Sequence, residues 1–196
     1  MKRIQIVSLA ASLGLAGVLV AGVAVPMAQQ RSGKPKFNTW RQYLGGSDSS
    51  QFSSLDQINK KNVTKLEVAW TYSTGDMRTY RFNPIVIDNV MYTLAKNMAL
   101  VALDAATGKE IWTHENQGAI GDRGINYWES ADRTDRRLLF INGGFLTAVD
   151  AATGKTIEAF GDKGKVDLRL GLNRDVTGVR ALQTGNPGSE RMIRLS

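Results

Sequence analysis

The chain is organised by short apolar runs that end in clusters of Asp, Asn and Gly, a pattern typical of antiparallel strands joined by tight turns. Residues 84–94 predict two strands around Asp88-Asn89, because Asn tolerates the left-handed backbone of a two-residue hairpin turn. Residues 138–149 predict a second hairpin around Asn142-Gly143-Gly144. Alternating apolar and polar positions predict one further strand at residues 66–72.

The hexapeptide Asp-Ala-Ala-Thr-Gly-Lys occurs twice, from Asp104 and from Asp150, 46 residues apart. Each copy predicts a turn in which the Asp carboxylate accepts backbone hydrogen bonds about two residues on and Gly supplies a positive φ. A period in the forties marked by a tryptophan, here Trp112, is typical of the four-stranded blades of a β-propeller. The sequence therefore predicts an all-β fold of such blades, with outgoing strands at residues 109–113 and 156–160.

The sequence also allows predictions about two side chains near the repeats. Glu158 stands where the first copy has Trp112, so we expect the second blade to pack on its neighbour in a different way. His114 is the only histidine, and we expect its side chain to be exposed because it follows a strand. It has no partner for a catalytic triad and no metal-ligand spacing.

The first segment predicts export. Lys2 and Arg3 precede an uncharged apolar stretch, and residues 1–28 have the pattern of a secretory signal peptide. The apolar stretch, residues 4–25, is also just long enough to span a bilayer, so an uncleaved N-terminal membrane anchor is the alternative. Residues 29–36 predict a linker, and in either case we expect a periplasmic location. The absence of cysteine excludes a disulfide framework.

Charge and length limit the remaining possibilities. The net charge of +7 is dispersed, without a run of like charges. The sequence therefore predicts that the protein does not bind nucleic acid. Residues 37–175 hold two to three blades, whereas closed propellers have about four to eight. We therefore expect a fragment of a larger propeller, or else a short form that self-associates. Residues 176–196 lose the apolar periodicity and predict an irregular, truncated tail.

Several motifs resemble those of the quinoprotein dehydrogenases, the family that uses pyrroloquinoline quinone (PQQ). The resemblance extends over about residues 40–175 and is greatest to the branch of glucose and alcohol dehydrogenases. Its matching segments, besides the two repeat turns, are Gln57-Ile58-Asn59, residues 68–76, residues 83–92, residues 122–128 and residues 160–168.

The resemblance implies an eight-bladed propeller with PQQ at the central axis and a Ca²⁺ beside it. It implies oxidation of alcohols or glucose-type sugars, with electrons passed to a quinone or a cytochrome. A base takes the hydroxyl proton while hydride moves to the quinone, which Ca²⁺ polarises. The family's catalytic aspartate and most of its Ca²⁺ ligands belong to later blades, so we expect no catalytic or metal-binding residue in this chain.

The segment 122–128 carries the candidate cofactor contacts. Arg123 matches the family's cofactor-contacting arginine, and a guanidinium group suits the three carboxylates of PQQ. Gly124 lets backbone approach the site, and Tyr127 and Trp128 are candidate wall residues. Arg81 stands where the family has an acidic or amide residue, and Asn83 is the candidate substitute. The vicinal cysteines that many members carry before the Arg-Gly pair are absent.

A second hypothesis needs no cofactor. The periplasmic propellers of outer-membrane assembly share the Asp-x-x-Thr-Gly-Lys-x-x-Trp repeat, so the chain could serve as a scaffold. Two features count against this alternative: the missing lipid-attachment cysteine and the Asp-Arg-Gly-Ile-Asn-Tyr-Trp segment at residues 122–128.

Overall fold

The computed structural model describes residues 39–46, 49–116, 120–121, 124–170, 175 and 177. The chain divides into two units, Met1–Lys34 and Pro35–Ser196. The first unit lies outside the described residues, and so do the predicted signal or anchor at 1–28 and the whole of the linker at 29–36. Apart from Thr177, so does the predicted tail at 176–196. No helix in the described ranges is long and apolar enough to cross a membrane.

In the described part of the chain, eight strands form two four-stranded antiparallel sheets, which confirms the all-β prediction and the partial propeller. The sheet order is β1-β2-β3-β4 in blade 1 and β5-β6-β7-β8 in blade 2, so each blade is a simple meander. A short 3₁₀ helix, Val63–Lys65, precedes them. The strands are β1 Ile85–Ile87, β2 Val90–Ala95, β3 Ala99–Asp104, β4 Glu110–His114, β5 Asn126–Glu129, β6 Arg136–Asn142, β7 Phe145–Asp150 and β8 Lys165–Asp167.

The predicted turns form as their local chemistry requires. Asp88 and Asn89 have φ of 48° and 67°, and together they close the β1–β2 hairpin in the left-handed conformation. In the first repeat turn, Asp104 Oδ1 accepts hydrogen bonds from Ala106 N, Thr107 N and Thr107 Oγ1 at 2.8–3.0 Å. The Asp150 turn repeats these three bonds at 2.7–3.1 Å.

The main core lies between the two blades. One face of blade 1 packs against one face of blade 2, and the strand alternation of each sheet brings its apolar side chains to that interface. Burial of this apolar surface is the largest favourable contribution to the docking of the blades. The buried side chains from blade 1 are Ile85, Ile87, Tyr92, Leu94, Leu100 and Ala102, and those from blade 2 and the residues before it include Ile120, Ile125, Tyr127, Leu138, Phe140, Val149 and Ala151.

A tryptophan docks on each repeat turn. Trp112, in β4 of blade 1, donates its indole N–H to the Ala151 carbonyl at 3.2 Å, in the repeat turn of blade 2. Trp70 donates in the same way to the Ala105 carbonyl at 3.1 Å, in the turn of blade 1. Each tryptophan therefore packs on the repeat turn that follows it in the sequence, and the tryptophan and the turn form one repeated contact.

Two predicted strands are wrong. Residues 66–72 form no strand, because this segment has no backbone ladder partner among the described residues and is held instead through the side chains of Trp70 and Tyr72. Residues 156–160 also form no strand: Thr156 makes one bridge to Val149 and a turn follows. The outer strand of blade 2 is β8 instead, so fourteen residues separate it from β7, whereas five separate β3 from β4.

The expectation of an exposed His114 is also wrong. The ring is half-buried at the end of β4, in an edge-on contact with Phe140 of blade 2, and Nδ1 lies 2.8 Å from the Gly154 carbonyl oxygen. The neighbouring blade covers the ring, a contact that no local pattern in the sequence could reveal. Glu158, by contrast, lies exposed in the turn that replaces the predicted strand.

Candidate functional site

Both blades begin at the same end of the pair of sheets. Alternating strand directions place the starts of β1 and β5 there, together with the β2–β3 and β6–β7 turns. We call this end the upper edge and define it by residues 83–84, 96–98, 124–125 and 142–145. The segments on which the candidate cofactor contacts lie therefore meet at one edge.

Asn83 and Gly124 are brought together at the upper edge, each two positions before the first strand of its blade. Gly124 has a φ of 112°, and a Cβ atom built on it would lie 3.0 Å from the Asn83 carbonyl oxygen. Only glycine combines that backbone conformation with so close an approach. Gly124 is buried, whereas the Asn83 side chain is exposed and has no hydrogen-bond partner within the described ranges.

Tyr127 and Trp128 lie on opposite faces of β5, so the two do not form one wall. Tyr127 is 2% exposed and packs in the core between the blades, with the Arg41 guanidinium 5.2 Å from its ring centre. Trp128 packs on the far face of blade 2, where Arg137 lies 5.3 Å from its ring centre. Arg123 lies outside the described residues, so its candidate role stays a prediction.

A charged network around Glu129 lies at the opposite end of β5 from Gly124. Glu129 accepts hydrogen bonds from Arg41 at 2.7 Å, Tyr127 at 2.8 Å and Arg133 at 3.0 Å, and Arg133 also pairs with Asp88 of blade 1. Burial by itself raises the pKa of Glu129, but these hydrogen bonds outweigh it and hold the pKa at about 2. The network joins both blades, because Arg133 bonds Glu129 of blade 2 and pairs with Asp88 of blade 1.

A second polar network, centred on Asp76, borders the upper edge. Its carboxylate Oδ2 accepts hydrogen bonds from Tyr80 Oη at 2.5 Å and from Asn97 N at 2.7 Å, and Oδ1 accepts one from Arg78 N at 3.0 Å. The Tyr80 bond first, and then the two backbone bonds, lower the pKa of Asp76. No role for Asp76 was predicted from the sequence, and its one available signal was the Gly75-Asp76 pair at the end of the matching segment 68–76.

Two amide oxygens at or next to the upper edge are buried and have no hydrogen-bond partner among the described residues. Asn116 Nδ2 donates to the Met98 carbonyl at 2.9 Å, while its Oδ1 has no such partner, and the same holds for Asn142 Oδ1. An unpaired buried oxygen costs free energy, and a functional role is one explanation for it. Across the described residues, no group of three His, Cys, Asp or Glu side chains is placed to hold a metal ion.

The architecture and sequence were compared with known proteins. Residues 40–189 match the family model described as PQQ: glucose/ethanol/alcohol dehydrogenase, beta-propeller domain. The chain belongs to this family.

Its relatives include the quinoprotein glucose dehydrogenase of Escherichia coli (strain K12), 34% identical over an alignment of 158 residues that covers 68% of this chain and 20% of the relative. The glycerol dehydrogenase large subunit of Gluconobacter oxydans (strain 621H) is 33% identical over an alignment of 184 residues that covers 82% of this chain and 24% of the relative. The solved quinohemoprotein alcohol dehydrogenase from Comamonas testosteroni superposes with a TM-score of 0.58 at 28% identity, covering 72% of this chain and 21% of that one.

The chain thus spans about a fifth to a quarter of the length of the quinoprotein relatives it matches. The fold and family predictions are confirmed by these comparisons and by the two four-stranded sheets. The substrates that the relatives' names state are those of the relatives, and they differ from one to the next.

Proposed function

We propose that this chain supplies part of the PQQ-binding propeller of an exported dehydrogenase that oxidises CH–OH groups of alcohols or sugars. The observation that carries the proposal is the contact between Asn83 and Gly124 within a chain that belongs to the PQQ β-propeller family. This contact brings the segments that precede β1 and β5 together at the upper edge. The N-terminal pattern of residues 1–28 favours export, with membrane association through residues 4–25 as an open alternative.

The residues at the upper edge fit the chemistry of PQQ. The exposed Asn83 amide can donate a hydrogen bond to a carboxylate, and Gly124 leaves room for the close approach of backbone. Arg123, directly before Gly124, has the planar guanidinium group that pairs with a carboxylate through two parallel bonds. Tyr127 lies in the core and Trp128 on the far face, so we assign them supporting roles in β5 rather than stacking on the cofactor.

The chain's own part in the reaction is binding and orientation. When bound, PQQ would supply the hydride acceptor for oxidation of a CH–OH group to a carbonyl, with a base to take the hydroxyl proton. We assign neither that base nor a Ca²⁺ ligand to the residues of this chain. The electron acceptor, a quinone or a cytochrome in our hypothesis, would then reoxidise the cofactor. A cofactor-free scaffold has less support, because the matching family model is that of dehydrogenases.

A titration with PQQ tests the proposal. We expect quenching of the fluorescence of the four tryptophans to saturate in the wild-type chain and to be lost in Arg123→Ala. Lys109→Ala is the matched control, because it removes one positive charge from the repeat turn at the opposite end of blade 1. Equal binding by wild type and Arg123→Ala, or no saturable binding by wild type, would contradict the proposal. We also expect no oxidation of glucose or alcohols when PQQ and Ca²⁺ are added to this chain alone.

A further inference from the structure

Three consecutive non-glycine residues at the upper edge have left-handed backbone. Lys96, Asn97 and Met98 form the β2–β3 turn with φ of 46°, 62° and 74°. Each costs roughly 1–2 kcal/mol relative to the ordinary right-handed conformation. Such a run persists only where the surrounding structure holds it, and strained turns of this kind cluster at functional sites.

Asp76 holds this turn from outside the blade. Its carboxylate accepts the Asn97 N–H at 2.7 Å, and Lys96 N donates to the Thr74 carbonyl, two residues before Asp76, at 3.0 Å. Tyr80 Oη also lies within hydrogen-bonding distance of Asn97 N, at 3.1 Å. The bond from Asn97 N to the Asp76 carboxylate can offset part of the strain, since hydrogen bonds to charged groups are the stronger ones.

Two sets of contacts extend from this turn towards Asn83 on one side and Gly124 on the other. Tyr80 bonds to Asp76, packs against the core between the blades and lies three residues before Asn83. On the other side, the Met98 carbonyl accepts a hydrogen bond from the Asn116 amide, and Asn116 lies two residues after the end of β4, in the connection to blade 2 that includes Gly124. Asp76 is therefore bonded to Tyr80, which leads into Asn83, and to the turn whose Met98 carbonyl binds Asn116, on the stretch of chain that leads to Gly124.

We propose that Asp76 is a positioning residue for the PQQ-binding edge, acting through the Lys96–Asn97–Met98 turn and through Tyr80. It touches the cofactor at no point; it sets where the two leading segments of the blades lie. This role rests on the proposed function, because PQQ binding is what tests it. The contacts that support it, those of Asp76, are different from the contact between Asn83 and Gly124. A carboxylate with only a structural role would affect the stability of the fold and leave the affinity of the folded chain for PQQ unchanged.

The test compares Asp76→Asn with wild type in the PQQ titration and in chemical denaturation. Asparagine keeps the shape but loses the charge, so we expect the Kd for PQQ to rise about tenfold, as is common when a residue that supports a binding site is removed. Asp162→Asn, which changes an exposed carboxylate in the connection to β8, is the matched control and should keep the wild-type Kd. Tyr80→Phe retains the ring and should raise the Kd about threefold.

The outcomes separate the two proposals. Failure of wild type to bind PQQ would count against the proposed function, and with it against this inference. Wild-type binding together with a Kd for Asp76→Asn within twofold of wild type would overturn the inference alone. If Asp76→Asn does not unfold cooperatively, Tyr80→Phe decides: a threefold rise in Kd supports the inference, and an unchanged Kd overturns it.

Discussion

The indole ring of Trp112 lies against the backbone of Gly154, the glycine of the next repeat turn. A Cβ atom at Gly154 would come within 2.6 Å of the ring, and Trp70 stands in the same relation to Gly108 at 2.5 Å. Both glycines have a φ of 70°. The glycine of the repeat thus serves two purposes at once: it allows the turn, and it leaves a flat surface for the preceding tryptophan.

The cost of adding a methyl group separates these two purposes. Gly143 has a φ of 60° but nothing within 4 Å of its Cβ position, so Gly143→Ala measures the conformational cost alone, about 1–2 kcal/mol. Gly154→Ala carries that cost and a clash with Trp112, and we expect a further loss of about 1–3 kcal/mol. Denaturant unfolding of the two variants gives the comparison. Equal losses in both would mean that the tryptophan does not require the glycine.

The Ala151 carbonyl accepts two hydrogen bonds from blade 1, from Tyr92 Oη at 3.1 Å and from Trp112 Nε1 at 3.2 Å. Ala151 is 3% exposed, so water cannot replace them. We expect Tyr92→Phe to cost about 0.5–1.5 kcal/mol, because the carbonyl keeps one donor. The double variant with Trp112→Phe leaves it with none, and we expect its loss to exceed the sum of the single losses by about 1 kcal/mol. Strict additivity in a double-mutant cycle would contradict this.

Burial lowers the pKa of His114 beneath its ordinary value of 6.5, although the hydrogen bond to the Gly154 carbonyl opposes the shift. The unfolded chain therefore takes up the proton first as the pH falls. The contribution of His114 to stability is fully present well above pH 6.5 and is lost as the pH falls towards the lower pKa of the folded state.

Denaturation at pH 7.5 and 5.5 measures this loss, because the carboxylates that hydrogen bonds hold at low pKa, Glu110 and Glu129, lose their contribution only below about pH 4.5. His114→Gln cannot titrate and can still donate to the Gly154 carbonyl, so we expect its stability to be equal at the two values. A wild-type chain that is equally stable at pH 7.5 and 5.5 would contradict the assignment.

A turn could be predicted from the sequence wherever its own residues stabilise it. The Asp88-Asn89 hairpin and both Asp-Ala-Ala-Thr-Gly-Lys turns form as expected, because the side chains that stabilise them lie within three positions of the backbone they bond. The 46-residue repeat was sufficient to predict four-stranded blades, and the family motifs predicted the family.

Tertiary structure decided everything that depends on a neighbour. The pattern at residues 66–72 is that of a strand, yet no ladder partner lies beside it in the described part of the chain, so it stays extended and is fixed by Trp70 and Tyr72. His114 is covered by blade 2, and Tyr127 and Trp128 diverge because successive residues of a strand face opposite ways.

By itself, then, the sequence determined the blade, its turns and its family, since short-range hydrogen bonding and strand periodicity are encoded residue by residue. It did not determine which side chains meet across blades. The contact of Asn83 with Gly124 exists only once two sheets pack face to face, because the two residues lie far apart along the chain. The bonds from Asp76 to the β2–β3 turn form only when residues 74–76 fold against blade 1.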